Sequence, residues 1–166
     1  MQNNTEKINF FKEAMSNYPT GVNVVTAVDG NHEPFGLTVN SFASVSLEPL
    51  LILWSIDNNV STYDKFMKTD TFAVNILAEN QAEIASLFAG SKEDRFANCE
   101  WGYSEHHLPI ISGAMASLQC NVFNKVEAGD HIILIGEVFH INVQEEAPLL
   151  YHKRKLGAFP TVFHEE

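Results

Sequence analysis

The side chains of this chain that can do chemistry are hydroxyls, amides and imidazoles, with no paired carboxylates. The densest group is Thr38-Val39-Asn40-Ser41-Phe42-Ala43-Ser44-Val45-Ser46, with four hydroxyls and an amide in nine residues. Such groups are expensive to bury without partners. Either the stretch is a solvated edge or turn, or its backbone and hydroxyls meet a ligand with many polar edge atoms. A second polar run, Asn58-Asn59-Val60-Ser61-Thr62, leads into a short helix expected over 61–67. Ser61 or Thr62 suits the N-cap of that helix. The same geometry offers free N–H groups and a positive helix end to a phosphate, with Lys65 and Lys68 one turn further on. His131 follows Gly129-Asp130 and opens an expected strand, so a turn presents its imidazole at a rim. That ring suits hydrogen bonding to an amide or, when protonated, attraction of a diphosphate oxygen.

Other chemistries lack their patterns. There is no G-x-G-x-x-G, no phosphate-binding G-x-x-x-x-G-K and no G-x-S-x-G. Among the seven histidines, His106 and His107 are adjacent, so their side chains diverge. His131 and His140 lie nine apart on one expected strand, which puts them on opposite faces unless a bulge intervenes. No helical pair of metal ligands occurs, and two cysteines, Cys99 and Cys120, make neither a disulfide framework nor a zinc site.

The positioning elements follow from periodicity. Residues 9–18 place Phe10, Phe11, Ala14, Met15 and Tyr18 on one helical face before Pro19. Strands are expected over 21–28, 35–47, 50–56, 71–77, 114–126 and 131–143, with a short one at 148–151. Residues 80–89 form an amphipathic helix, and 90–111 read as a long irregular loop. Glu127-Ala128-Gly129-Asp130 is a hairpin connection. Six or seven strands joined mostly by short turns, against three helices, predict a mainly β protein. Its expected fold is an antiparallel barrel with peripheral helices. A barrel this small holds little inside, so a ligand belongs on its rim or at a subunit interface.

With 166 residues, 45% of them apolar and 19% charged, the chain is expected to be one globular domain over 1–166. Its net charge of −11 argues against nucleic-acid and anionic-membrane binding, and any phosphate site must be local. Residues 1–12 carry no apolar signal core, and a cytoplasmic location is expected.

A longer pattern runs through these segments. It comprises Pro19-Thr20-Gly21-Val22-Asn23-Val24-Val25-Thr26 and then Gly36-Leu37-Thr38-Val39-Asn40-Ser41-Phe42-Ala43-Ser44-Val45-Ser46-Leu47-Glu48-Pro49. Phe72-Ala73-Val74-Asn75-Ile76-Leu77, Phe88-Ala89, Arg95-Phe96, Trp101 and Gly113-Ala114 continue it, and Gly129-Asp130-His131 and Pro148-Leu149-Leu150-Tyr151 close it. Over about residues 10–155 this resembles the short-chain flavin reductases. The resemblance implies a flavin-binding split barrel, a homodimer, and the reductase component of a two-component flavin-dependent monooxygenase. It implies FMN or FAD as flavin and NADH or NADPH as hydride donor.

By the same resemblance, Thr38, Val39, Asn40, Ser41 and Phe42 line the isoalloxazine and ribityl chain, and Ser44 and Val45 meet the ring's polar edge. Asn59, Val60, Ser61 and Thr62 lie near the flavin phosphate, with Lys65 the nearest cation. Phe88, Ala89 and Arg95 close over the flavin, and His131 and Tyr151 lie near the nicotinamide. The chain departs from the pattern in three places. Trp54 stands where many relatives carry a small residue or Cys, which tightens the flavin's surroundings. Asn58-Asn59 occupies a run that often holds Arg. Lys153-Arg154-Lys155 follows Tyr151 where many relatives carry Gly. That basic run is either a solvated tail or a partner for a pyridine-nucleotide phosphate. Flavin chemistry belongs to the flavin itself, so no catalytic triad is required. A flavin-binding electron carrier or sensor without reductase turnover is the alternative function.

Overall fold

The computed structural model describes residues 3–91 and 94–163. Helix α1 (Asn4–Ser16) starts at Asn3, whose side chain accepts from the Glu6 N–H while the Glu6 carboxylate accepts from the Asn3 N–H. This reciprocal cap starts the helix five residues before the expected position. Strands β1 (Thr20–Gly21), β2 (Asn23–Val28), β3 (Pro34–Val39), β4 (Ala43–Leu47) and β5 (Leu50–Asp57) follow. Then come α2 (Tyr63–Lys68), β6 (Thr71–Ile76), α3 (Ala82–Ala89), β7 (Trp101–Tyr103) and β8 (Pro109–Ile111). The long pair β9 (Ala116–Ala128) and β10 (His131–Val143) precedes β11 (Leu150–His152) and β12 (Lys155–Gly157).

Seven strands form one antiparallel sheet in the order β3-β2-β6-β9-β10-β5-β4. Strands β3 and β4 are its two edges, yet only Asn40, Ser41 and Phe42 separate them in sequence. In a flat sheet these edges would lie about 29 Å apart. The linking residues span at most about 14 Å. The sheet therefore curls until its edges nearly meet, and the three-residue bridge marks the open seam of a split barrel. The single expected strand over 35–47 is thus two strands on opposite edges.

Inward-facing side chains fill the barrel. On β5, Ile52, Trp54 and Ile56 alternate inward, and Trp54 packs edge-on against Phe66 at 5.0 Å and Phe72 at 5.8 Å. Gly136 lies opposite, where a Cβ would come within 2.5 Å of Phe72 Cζ, so only glycine fits there. Strands β2 and β6 are buried on both faces, because α3 and β8 cover their outer side. There Asn75 donates to the Val24 carbonyl and the Thr26 hydroxyl and accepts from the Ile111 N–H, so its buried amide is satisfied.

Two readings change with the structure. The loop over 90–111 contains the β7–β8 ladder, which the Trp101↔Ile111 pairing starts. The residues after Tyr151 form a β11–β12 hairpin instead of a tail. The bulge that would alter the histidine faces is present, since the β9–β10 register shifts between Val138 and His140. His140 thereby comes within 5.5 Å of His106, ring to ring. No described helix is long and apolar enough to cross a membrane.

Candidate functional site at the barrel seam

The seam residues leave the ladder, so their backbone groups are not used by a neighbouring strand. Ser41 ties the seam down: its hydroxyl donates to the Ser55 carbonyl and accepts from the Ser55 N–H. Beside it opens a cavity of about 780 Å³. Asn40, Ser41 and Phe42 form one wall, Thr20 and Asn23 another, and His131 stands at the rim. The exposed Phe11, Met15 and Tyr18 close the side toward α1.

Two buried polar atoms in this lining have no hydrogen-bond partner, the Thr20 hydroxyl oxygen and Asn23 Oδ1. Asn23 is 2% exposed, and its amide nitrogen donates to the Val39 carbonyl at 3.4 Å. An unpaired buried acceptor costs about 1–3 kcal/mol. The arrangement therefore suits a ligand that brings its own N–H donor and acceptors. The sequence reading missed both residues. Their one signal is the amide that interrupts the apolar run Val22-Asn23-Val24-Val25.

His131 opens β10 after a two-residue turn, with Ala128 as its ladder partner. Gly129 takes φ 68°, which suits glycine. The His131 Nδ1 lies 2.7 Å from an Asp130 carboxylate oxygen, and Asp57 pairs with His131 across β5. Asp130 thereby orients the ring and leaves Nε2 for a ligand at the rim.

A second cavity of about 400 Å³ adjoins the first, and Asn40 lines both. Thr38, Val39, Ala89, Tyr151 and Arg154 also line it. Thr38 donates its hydroxyl to the Ala85 carbonyl. Val39 lines this cavity and also packs in the barrel core.

The structure does not bring the other expected residues here. Trp54 is fully buried between Phe66 and Phe72, so it packs the core and does not tighten a flavin site. Phe88 is 1% exposed and packs edge-on against Phe96 at 5.1 Å, so it is core as well. Arg95 donates to the Gly36 and Gly90 carbonyls, each at 2.6 Å, and so pins a loop outside both linings. Burial lowers its pKa. Ser44 and Val45 sit exposed on edge strand β4, outside both linings. Asn59, Val60, Ser61 and Thr62 also lie outside both linings. Thr62 caps a helix of six residues without a side-chain bond. Lys65 pairs with Asp29 at 2.9 Å beside a different cavity.

Against known proteins, the family model described as flavin reductase like domain matches residues 15–160. This chain belongs to the flavin reductase-like family. The reductase component of a flavin-dependent trigonelline monooxygenase from Acinetobacter baylyi is 43% identical over 155 residues. That match covers 93% of this chain and 49% of the relative, so the chain spans about half that relative's length. A flavin reductase from Pseudomonas putida is 35% identical, with 92% and 91% covered. Among solved structures, a Streptomyces globisporus NADH:FAD oxidoreductase in complex with NAD and FAD fragments superposes with a TM-score of 0.88. It is 33% identical, with 96% of each chain covered. As a flavin reductase-like protein, this chain keeps the split barrel of that structure, with the Asn40–Phe42 seam as its opening.

Proposed function

We propose that this chain is an NAD(P)H-dependent flavin reductase that supplies reduced FMN or FAD to a partner monooxygenase. The observation that carries the reading is the pair of unpartnered, buried polar atoms on Thr20 and Asn23, two residues of the seam-cavity lining. A flavin ring edge carries an N–H between two carbonyl oxygens, which complements an amide acceptor beside a hydroxyl. When bound, flavin supplies the hydride-accepting chemistry. The chain's own residues do the rest. Asn23 and Thr20 fix the orientation of the ring edge. Ser41, held by Ser55, keeps the seam backbone in place against it. Phe42, Phe11, Met15 and Tyr18 exclude water from the apolar side. His131, oriented by Asp130, receives the nicotinamide amide at the rim.

The protein works as one domain and as a homodimer in the cytoplasm. Val45, Leu47, Phe123, Phe139, Ile141 and Val143 are exposed along β4, β9 and β10, an apolar face suited to a second copy. Helix α1 buries none of its residues within the chain. A sedimentation mass near 37 kDa, about twice the chain's 18.6 kDa, is expected. Function is tested by mixing protein, NADH and excess FMN or FAD. Continuous loss of NADH absorbance with many turnovers is the expected result. A single stoichiometric reduction would identify an electron carrier instead.

A further inference from the structure

Among the described residues, the cavity beside the seam has one charged lining residue, Arg154, with neutral side chains that include the hydroxyls of Thr38, Ser86 and Tyr151. Arg154 reaches that place on an unusual backbone. His152 pairs with Lys155, so Lys153 and Arg154 form a two-residue hairpin turn. Their φ angles are 48° and 63°, both in the left-handed region. Such turns ordinarily carry Asn-Gly, because a side chain is disfavoured there. Arginine stands where glycine fits best, and the turn is held in place. Lys153 N–H donates to the Ser16 carbonyl at the end of α1, and β11 pairs with β1. The strain is explained if the guanidinium is needed at this cavity.

We propose that Arg154 recognises a nucleotide phosphate, receiving the phosphate arm of a ligand bound at the adjoining seam cavity or its rim. The proposal rests on the flavin reductase reading. Guanidinium matches two phosphate oxygens at once. In a chain of net charge −11, an anionic ligand needs such a local cation. Asn40 lines both cavities, so the two sites are neighbours and within reach of one extended nucleotide. Two sources share this chemistry, the phosphate of the flavin and the diphosphate of the pyridine nucleotide.

The test compares R154G and R154Q with the unaltered protein by equilibrium titration with riboflavin, FMN, FAD and NADH. R154G relieves the backbone strain, and R154Q keeps the side-chain bulk while removing the charge. R154G is expected to melt at the same or a higher temperature. Both variants are expected to bind one phosphate-bearing ligand about tenfold more weakly, while riboflavin affinity stays unchanged. Loss on FMN and FAD assigns the flavin phosphate, and loss on NADH alone assigns the pyridine nucleotide. If no phosphate-bearing ligand changes by more than about twofold, or riboflavin weakens equally, the role of Arg154 is overturned. If the unaltered protein binds neither flavin nor NADH, the flavin reductase reading itself fails, and this proposal with it.

Discussion

Two polar runs of similar composition meet different fates in this fold. In Thr38–Ser46 the ladder breaks at Asn40, Ser41 and Phe42, and the freed segment faces a cavity. In Asn58–Thr62 the chain turns a corner that Asp57 and Asp130 hold. The Asp57 carboxylate accepts from the Asn59 N–H and from its side-chain amide, and these bonds hold its pKa below the ordinary value. Asn58 N–H donates to the Asp130 carbonyl. That run's work is to deliver Phe66, fully buried between Phe35 and Trp54, into the barrel. A polar run becomes a site where it leaves its ladder beside a concavity. Where it turns a corner, flanking groups such as Asp57 and the Asp130 carbonyl take up its N–H donors.

This contrast can be broken, and the largest effect is expected at Phe66. Phe66→Ala should cost about 3–5 kcal/mol in urea unfolding. Flavin affinity per folded molecule should stay constant; a parallel fall in affinity would join the second run to the site. Next comes His131→Ala, which should raise the Michaelis constant for NADH or slow flavin reduction by about ten- to a hundredfold. Oxidised flavin should bind nearly as before. Stopped-flow reduction and a flavin titration on the same protein decide between rim and ring.

Asn23→Leu sharpens the first half of the contrast. It removes an unpartnered buried acceptor together with the long 3.4 Å bond to the Val39 carbonyl, so the melting temperature of the free protein should change little, while flavin affinity falls about tenfold. Unchanged affinity would remove Asn23 from the ring's recognition. The smallest effect belongs to Ser61→Asp. A phosphate at Ser61 would be repelled by the new charge, but the structure places Ser61 outside both cavities. Flavin affinity within about twofold of the unaltered protein is expected. A fall of tenfold would return the phosphate to the second run.

Much of this was legible from residue order. The amphipathic helix before the 90–111 loop, the β9–β10 hairpin with Gly129 in its turn, and His131 at a rim all follow from local periodicity and turn chemistry. The motif blocks likewise located the seam segment. Trp54 and Phe88 were misplaced because burial is a property of what packs opposite. Their neighbours Phe66, Phe72 and Phe96 come from distant parts of the chain.

The sequence by itself determined which residues are polar, where strands alternate and where turns fall, since those depend on neighbours a few positions away. Only the tertiary structure decided that β3 and β4 are opposite edges of one curled sheet, with their three-residue link as its opening. It alone paired Lys65 with Asp29, 36 positions away, and carried Arg154 to a cavity lined by Thr38. It alone left Asn23 Oδ1 without a partner. Each of these depends on strand order and sheet closure, which bring together residues that no local pattern relates.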